Sequence, residues 1–118
     1  MKKKVLIIED DVEVSEILEF IVTGLDCEAI TSTYTLPVKE IQLVSPDLIL
    51  LDHRLGDELG GDLCLRLKKN ASTKDIPVII VSADLTLKKI VNEFCADDYV
   101  EKPFSIDDME KLIKKYLH

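Results

Sequence analysis

Residues that could do chemistry follow short apolar runs along this sequence of 118 residues. They are Glu9 and Asp10 after the first run, Asp52 after the third, Ser82 after the fourth and Lys102 just beyond the fifth. Carboxylates hold a hard cation through oxygen, and the cation neutralises phosphoryl charge while an ammonium and a hydroxyl engage the remaining phosphoryl oxygens. If these side chains meet, the combination indicates phosphoryl transfer to a carboxylate, with Asp52 as the nucleophile.

The runs that carry these residues alternate with segments of helical spacing. Continuous hydrophobicity is typical of strands buried on both faces, whereas apolar residues three and four apart predict one buried helix face. The predicted strands are 5–8, a weaker 28–31, 48–51, 78–81 and 98–100, and the helical patterns span 14–25, 38–44, 63–67, 87–94 and 106–116. This alternation predicts an α/β fold, a doubly wound five-stranded parallel sheet in a (βα)₅ sandwich. Ligands bind such sheets beyond the carboxyl ends of the strands.

Composition excludes several classes of protein. The length fits one domain, 1–118, and the formal net charge of −8 argues against binding of nucleic acid by this domain alone. Three lysines at positions 2–4 precede only four apolar residues, which is too few for a signal peptide or a membrane span, so we predict a cytoplasmic protein with no membrane contact. Cys27, Cys64 and Cys95 show no metal-binding spacing, and we predict that all three are small core residues.

Four sequence blocks resemble the signature blocks of bacterial two-component response-regulator receiver domains of the chemotaxis type. They are 5–11 (VLIIEDD), 47–55 (DLILLDHRL), 77–83 (PVIIVSA) and 96–104 (ADDYVEKPF), so the resemblance covers essentially the whole chain. It implies a flavodoxin-like fold and a phosphoacceptor switch in a two-component phosphorelay. A histidine kinase or phosphotransfer protein would donate the phosphoryl group, and the output would be contact with a downstream protein.

The resemblance also implies roles by position. Asp52 would accept the phosphoryl group. Asp10 would ligate Mg²⁺ directly, Glu9 would assist through water, and the Arg54 backbone carbonyl would complete the protein ligands. Ser82 would be the switch hydroxyl, Lys102 the phosphate-sensing ammonium and Tyr99 the aromatic partner of the switch. The Lys102–Pro103 peptide bond is expected to be cis, which only a bond before proline adopts at low cost. His53 and His118 are predicted to be bystanders, because strand alternation points His53 away from Asp52.

Four positions depart from the family or vary within it. Gly56 replaces a proline common in receivers, so we expect a more mobile loop there, and Cys95 stands where glycine often precedes the last strand. Arg54 and Asp84 lie two residues past the phosphoacceptor and the switch hydroxyl, and their opposite charges predict an ion pair across the mouth of the site. An exposed pair is worth about 0–1 kcal/mol, so it would slow loss of the phosphoryl group by less than roughly tenfold.

The expected output surface comprises the fourth predicted helix, the fifth predicted strand and the fifth predicted helix. It includes Lys88, Lys89, Asn92, Tyr99 and residues 111–115. Self-association through this surface would give a phosphorylation-dependent dimer.

Two alternatives to a phosphorylated switch are open to test. An aspartyl-phosphate hydrolase of the haloacid-dehalogenase type needs a second aspartate two residues after the nucleophile, and here that residue is Arg54. A degenerate receiver, acting only as a phosphate-independent interaction module, would not need the complete acidic, hydroxyl and lysine set. We therefore predict a phosphoacceptor that is not an enzyme, with only self-phosphorylation and autodephosphorylation chemistry of its own.

Overall fold

A computed structural model describes residues 2–56, 58–83 and 92–117. The strands are β1 (Lys4–Ile8), β2 (Glu28–Ser32), β3 (Leu48–Asp52), β4 (Arg54–Leu55), β5 (Glu58–Leu59), β6 (Val78–Ser82) and β7 (Asp98–Glu101); the helices are α1 (Val12–Gly24), α2 (Val38–Val44), α3 (Gly60–Lys69) and α4 (Ile106–Tyr116). Residues 92–94 are also helical. Most of the fourth predicted helix, including Lys88 and Lys89, lies outside the described residues.

Five strands form one parallel sheet in the order β2-β1-β3-β6-β7. They correspond to the five apolar runs, so the predicted doubly wound sheet is confirmed. Every residue of β3 and β6 is buried, as continuous hydrophobicity predicts for central parallel strands. Strand order reverses between β1 and β3, which places a crevice where the carboxyl ends of these two strands lie side by side.

The sheet is covered on both faces. One core cluster joins β1, β3 and β6 to α1 and α4, with Leu18 and Ile113 fully buried. The opposite cluster joins the sheet to α2 and α3, with Ile41 and Leu67 fully buried. Of the described helices, none has the length and apolar character to cross a bilayer.

The two helices that flank the site each begin at a side-chain N-cap. The Asp11 carboxylate accepts hydrogen bonds from the backbone N–H groups of Glu13 and Val14, and so caps α1. The Ser105 hydroxyl accepts one from the N–H of Asp108 at the start of α4. The Lys102–Pro103 bond is cis, as the resemblance implied.

One feature of the structure differs from the prediction, and a second was not predicted. Cys27 and Cys64 are buried, but Cys95 is exposed, so its prediction as a core residue is wrong. Cys95 has a φ of 59°, and a left-handed turn at this position directs its side chain outward; this conformation explains why glycine suits the position. The sequence also did not predict the short antiparallel hairpin of β4 and β5, which turns through Gly56 at a φ of 62°.

Candidate functional site

Three carboxylates meet at the carboxyl ends of β1 and β3. Oxygen atoms of Glu9, Asp10 and Asp52 lie within 4.8 Å of one another. Glu9 and Asp52 are 1% and 6% exposed, whereas Asp10 is exposed to solvent. The parallel register pairs Ile8 with Leu51, so the residues that follow these two necessarily emerge side by side.

The ammonium of Lys102 reaches into this acidic group. Its Nζ lies 2.5 Å from Glu9 Oε1 and 3.6 Å from Asp52 Oδ1. Burial alone would lower the pKa of Lys102, but the hydrogen bond to Glu9 and the charges of Asp52 and Glu9 outweigh it and raise that pKa. Lys102 therefore stays protonated and is the local counter-ion of the carboxylates.

Asp52 is the carboxylate whose ionisation is most altered. Burial, followed by hydrogen bonds shared with Glu9 and Asp10 and the charge of Glu9, raises the pKa of Asp52 to about 8, although Lys102 opposes the shift. A cation among these oxygens would favour the ionised form of Asp52.

The cavity above the cluster is open and polar. It has a volume of about 570 Å³ and is lined by Asp10, Asp11, Asp52, Arg54, Ser82, Ala83 and Lys102. Ser82 is 3% exposed and ends β6, next to β3. Lys102 is held at the adjacent edge, because its backbone N–H donates to the carbonyl of Ser82 at 2.9 Å. Acids, hydroxyl and ammonium thus surround one space, as the sequence predicted.

Comparison with known proteins identifies this arrangement. Residues 5–114 match the model of the response regulator receiver domain family. The chain belongs to that family.

Curated relatives and solved structures agree with the assignment. The transcriptional regulatory protein KdpE of Staphylococcus aureus is 37% identical over 118 residues, which is 97% of this chain and 49% of that protein. A Chloroflexus aurantiacus structure described as a response regulator has a TM-score of 0.89 and 28% identity, covering 99% of this chain and 98% of that one. The chemotaxis protein CheY4 of Vibrio cholerae has a TM-score of 0.87 at 16% identity, covering 99% and 100%, and this likeness shows the fold alone.

This receiver is accordingly a phosphoacceptor signalling switch of the response-regulator kind and not a classical enzyme. The comparisons give no support to the degenerate alternative. The chain spans about half the length of the curated relatives it matches. Receiver domains of this family interact with histidine kinases and with downstream effectors.

The acidic cluster of the receiver suits a hard divalent cation. Glu9, Asp10 and Asp52 offer only oxygen ligands, and their oxygens are close enough to face one ion. The backbone N–H of Arg54 donates to Asp52 Oδ1 at 3.3 Å, and that of Asp11 donates to Glu9 Oε2 at 3.2 Å, so these carboxylates are already oriented. The donor set therefore fits Mg²⁺, with Asp10 as the ligand most accessible from solvent.

The remaining predicted residues lie around the cavity or outside the described residues. The side chain of Arg54 is exposed and lines the cavity, whereas Asp84 is not described, so their pairing stays a prediction. Tyr99 is half-buried on β7 and packs against Ile80 of β6. The mobility of the Gly56 loop and the phosphorylation-dependent dimer stay predictions.

Sequence reasoning missed the packing of His53. Its side chain is 4% exposed, its Nδ1 accepts the backbone N–H of Gly61 at 3.2 Å, and its ring lies 5.5 Å from that of Phe94. The ring is buried against Gly61 and Phe94, and His53 is not among the residues that line the acidic cavity. The glycine pair Gly60-Gly61 was the available signal, because two adjacent glycines beginning a helix indicate a close approach of another segment.

Proposed function

We propose that Asp52 accepts a phosphoryl group from a phosphohistidine of a histidine kinase or phosphotransfer protein, in a reaction that requires Mg²⁺. The observation that carries the proposal is the convergence of three carboxylates and one ammonium on a single open cavity. Asp10 and Asp52 would hold the ion, with Glu9 acting through water and the Arg54 carbonyl completing the site. The metal supplies charge neutralisation for the phosphoryl oxygens.

In the proposed reaction an Asp52 oxygen attacks phosphorus, the bond between phosphorus and the donor nitrogen breaks, and the donor imidazole leaves. Asp52 must be ionised to attack, and because its pKa is raised, a neighbouring cation would increase the ionised fraction near neutral pH. Lys102 supplies one positive charge to the phosphoryl oxygens once its contact with Glu9 is relaxed. Ser82 also lines the cavity and would donate its hydroxyl hydrogen to the same group. Self-phosphorylation from small phosphodonors would use the same residues.

An apolar cleft beside the cavity favours a protein donor. It is lined by Val14, Ile17, Ala83, Lys102, Pro103, Phe104 and Ile106. Ile17 and Ile106 are 45% and 46% exposed, so their side chains contribute to a contiguous exposed apolar surface in this cleft. Ala83 and Lys102 also line the acidic cavity, so a protein that presents its phosphohistidine to Asp52 would cover this cleft and bury its apolar surface.

The signal would leave the receiver through the surface predicted from the sequence. Phosphorylation would draw Ser82 toward the phosphoryl group and let Tyr99 turn inward, a population shift between two states. The downstream partner would be a protein, either separate or part of a longer chain, and self-association on the same surface would give a phosphorylation-dependent dimer. We place the protein in the cytoplasm, where two-component kinases present their phosphohistidine. Hydrolysis would be slowed by the predicted pairing of Arg54 with Asp84.

Beryllofluoride binding tests the proposal directly. This phosphoryl analogue, added with Mg²⁺, should give a bound fluorine NMR signal for the parent and none for Asp52→Asn. Asp75→Asn changes an exposed aspartate away from the cavity and should bind as the parent does. A parent without a bound signal, or an Asp52→Asn variant that retains it, would contradict the assignment.

A further inference from the structure

The residue after the phosphoacceptor is held at two points by the beginning of α3. The backbone N–H of Gly60 donates to the carbonyl of His53 at 2.7 Å, and the N–H of Gly61 donates to its Nδ1 at 3.2 Å. His53 therefore cannot shift its backbone or its imidazole without disturbing the first turn of that helix. Because Asp52 precedes it directly, the end of β3 is tied to the same turn.

Both glycines permit approaches that any side chain would prevent. A Cβ at Gly60 would lie 2.0 Å from the carbonyl oxygen of Asp52. A Cβ at Gly61 would lie 2.4 Å from the ring of Phe94. Phe94 thus rests on the bare backbone of Gly61, which brings its ring to 5.5 Å from that of His53 at an interplanar angle of 48°. Aromatic pairs favour this separation and a tilted arrangement.

Phe94 also contacts the strand that leads to the other side of the site. It packs against Ile80, which is fully buried, and Tyr99 packs against Ile80 as well. Ile80 and Tyr99 are register partners on β6 and β7. A continuous set of contacts therefore runs from His53 through Phe94 and Ile80 to Tyr99.

We propose that the contact between His53 and Phe94 couples the position of Asp52 to the environment of Tyr99. His53 and Phe94 act as positioning residues and do not touch the phosphoryl group. A displacement at the end of β3 moves the imidazole, the imidazole moves the Phe94 ring, and the ring changes the packing of Ile80 beneath Tyr99. This proposal rests on the proposed phosphorylation of Asp52 and adds a second connection from that residue to the output surface.

Two measurements on the same sample test the coupling. Fluorine NMR reports beryllofluoride bound at Asp52 in the presence of Mg²⁺, and ring-labelled tyrosine reports Tyr99, which must be distinguished only from Tyr34 and Tyr116. In the parent, saturation with beryllofluoride should shift the Tyr99 signal. In Phe94→Leu and in His53→Leu the analogue should still bind. Its effect on the equilibrium constant between the two Tyr99 environments should be smaller than in the parent by roughly twofold or more.

Three further variants separate coupling from loss of stability. The double variant, with His53→Leu and Phe94→Leu together, should lose no more of the Tyr99 response than the more affected single variant. The reason is that the two substitutions remove the same contact. His53→Phe keeps a ring against Phe94 and should retain the response. Ile41→Val removes a methyl group from a fully buried site on α2, and should lower stability while leaving the response intact.

The outcomes distinguish the two proposals. If the parent does not bind beryllofluoride, phosphorylation at Asp52 is wrong. If the parent binds and responds, and either Phe94→Leu or His53→Leu binds with the parent's Tyr99 response, the coupling is wrong. Each variant is judged alone, so a variant that does not fold leaves the other to decide.

Discussion

Removing the Asp52 carboxyl should stabilise the metal-free protein, increasingly so as the pH rises. Burial and the neighbouring acids raise the pKa of Asp52 to about 8, against 3.8 for an ordinary aspartate. Between these values the folded state retains a proton that the unfolded chain has released. The stability that depends on this proton is fully present below about pH 4 and is lost as the pH rises through 8.

The magnitude follows from the same two values. Each pH unit in this window costs the parent at most about 1.4 kcal/mol relative to Asp52→Asn, whose amide does not titrate. The stability difference between variant and parent should therefore grow by up to about 3 kcal/mol between pH 5 and pH 7. The other carboxyl groups are present in both proteins, so their contributions cancel in the difference in unfolding free energy between parent and variant. That difference therefore reports the site around Asp52.

Urea unfolding at pH 5, 6 and 7, with a chelator present, measures this difference. Mg²⁺ should abolish the gain at pH 7, because the metal replaces the proton and binds the parent more tightly than the variant. A difference that stays constant between pH 5 and pH 7 would refute the reasoning, since it would mean that the folded protein holds Asp52 ionised as easily as the unfolded chain does.

Two further predictions concern the metal and the turn that supports it. Mg²⁺ at a hundredfold excess over its Kd should stabilise the fold by about 2.7 kcal/mol, and Asp10→Asn should remove most of this gain; superimposable thermal melts of the parent with and without Mg²⁺ would argue against the site. Gly60→Ala should cost about 1–3 kcal/mol in urea unfolding, because its Cβ would meet the carbonyl oxygen of Asp52. Gly24→Ala, with nothing within 4 Å of the added carbon, is the matched control and should be neutral or stabilising.

The fold could be predicted because three of its strands contain uninterrupted apolar runs, at 5–8, 48–51 and 78–81. The run 48–51 is followed at once by Asp52, and the run 5–8 by Glu9, so parallel pairing alone brings these acids together. The Asp11 and Ser105 caps depend on local sequence alone, since each residue stands directly before the helix that it caps.

Contacts that depend on three-dimensional approach could not be predicted in this way. The preference of Lys102 for Glu9 over Asp52 depends on side-chain geometry at the carboxyl edge of the sheet. The packing of His53 on Phe94 depends on the missing side chain of Gly61, 33 residues before that phenylalanine in the sequence. Cys95 was misplaced because burial habit was applied to a residue whose backbone turn points it toward solvent.

The identity of the phosphoacceptor is the central claim, and peptide mapping after reaction with acetyl phosphate and Mg²⁺ tests it most directly. We expect one acid-stable, hydroxylamine-labile phosphoryl group, located by mass spectrometry on Asp52 and absent when Mg²⁺ is chelated. A phosphoryl group on any other residue, or none on a folded protein that binds Mg²⁺, would contradict it.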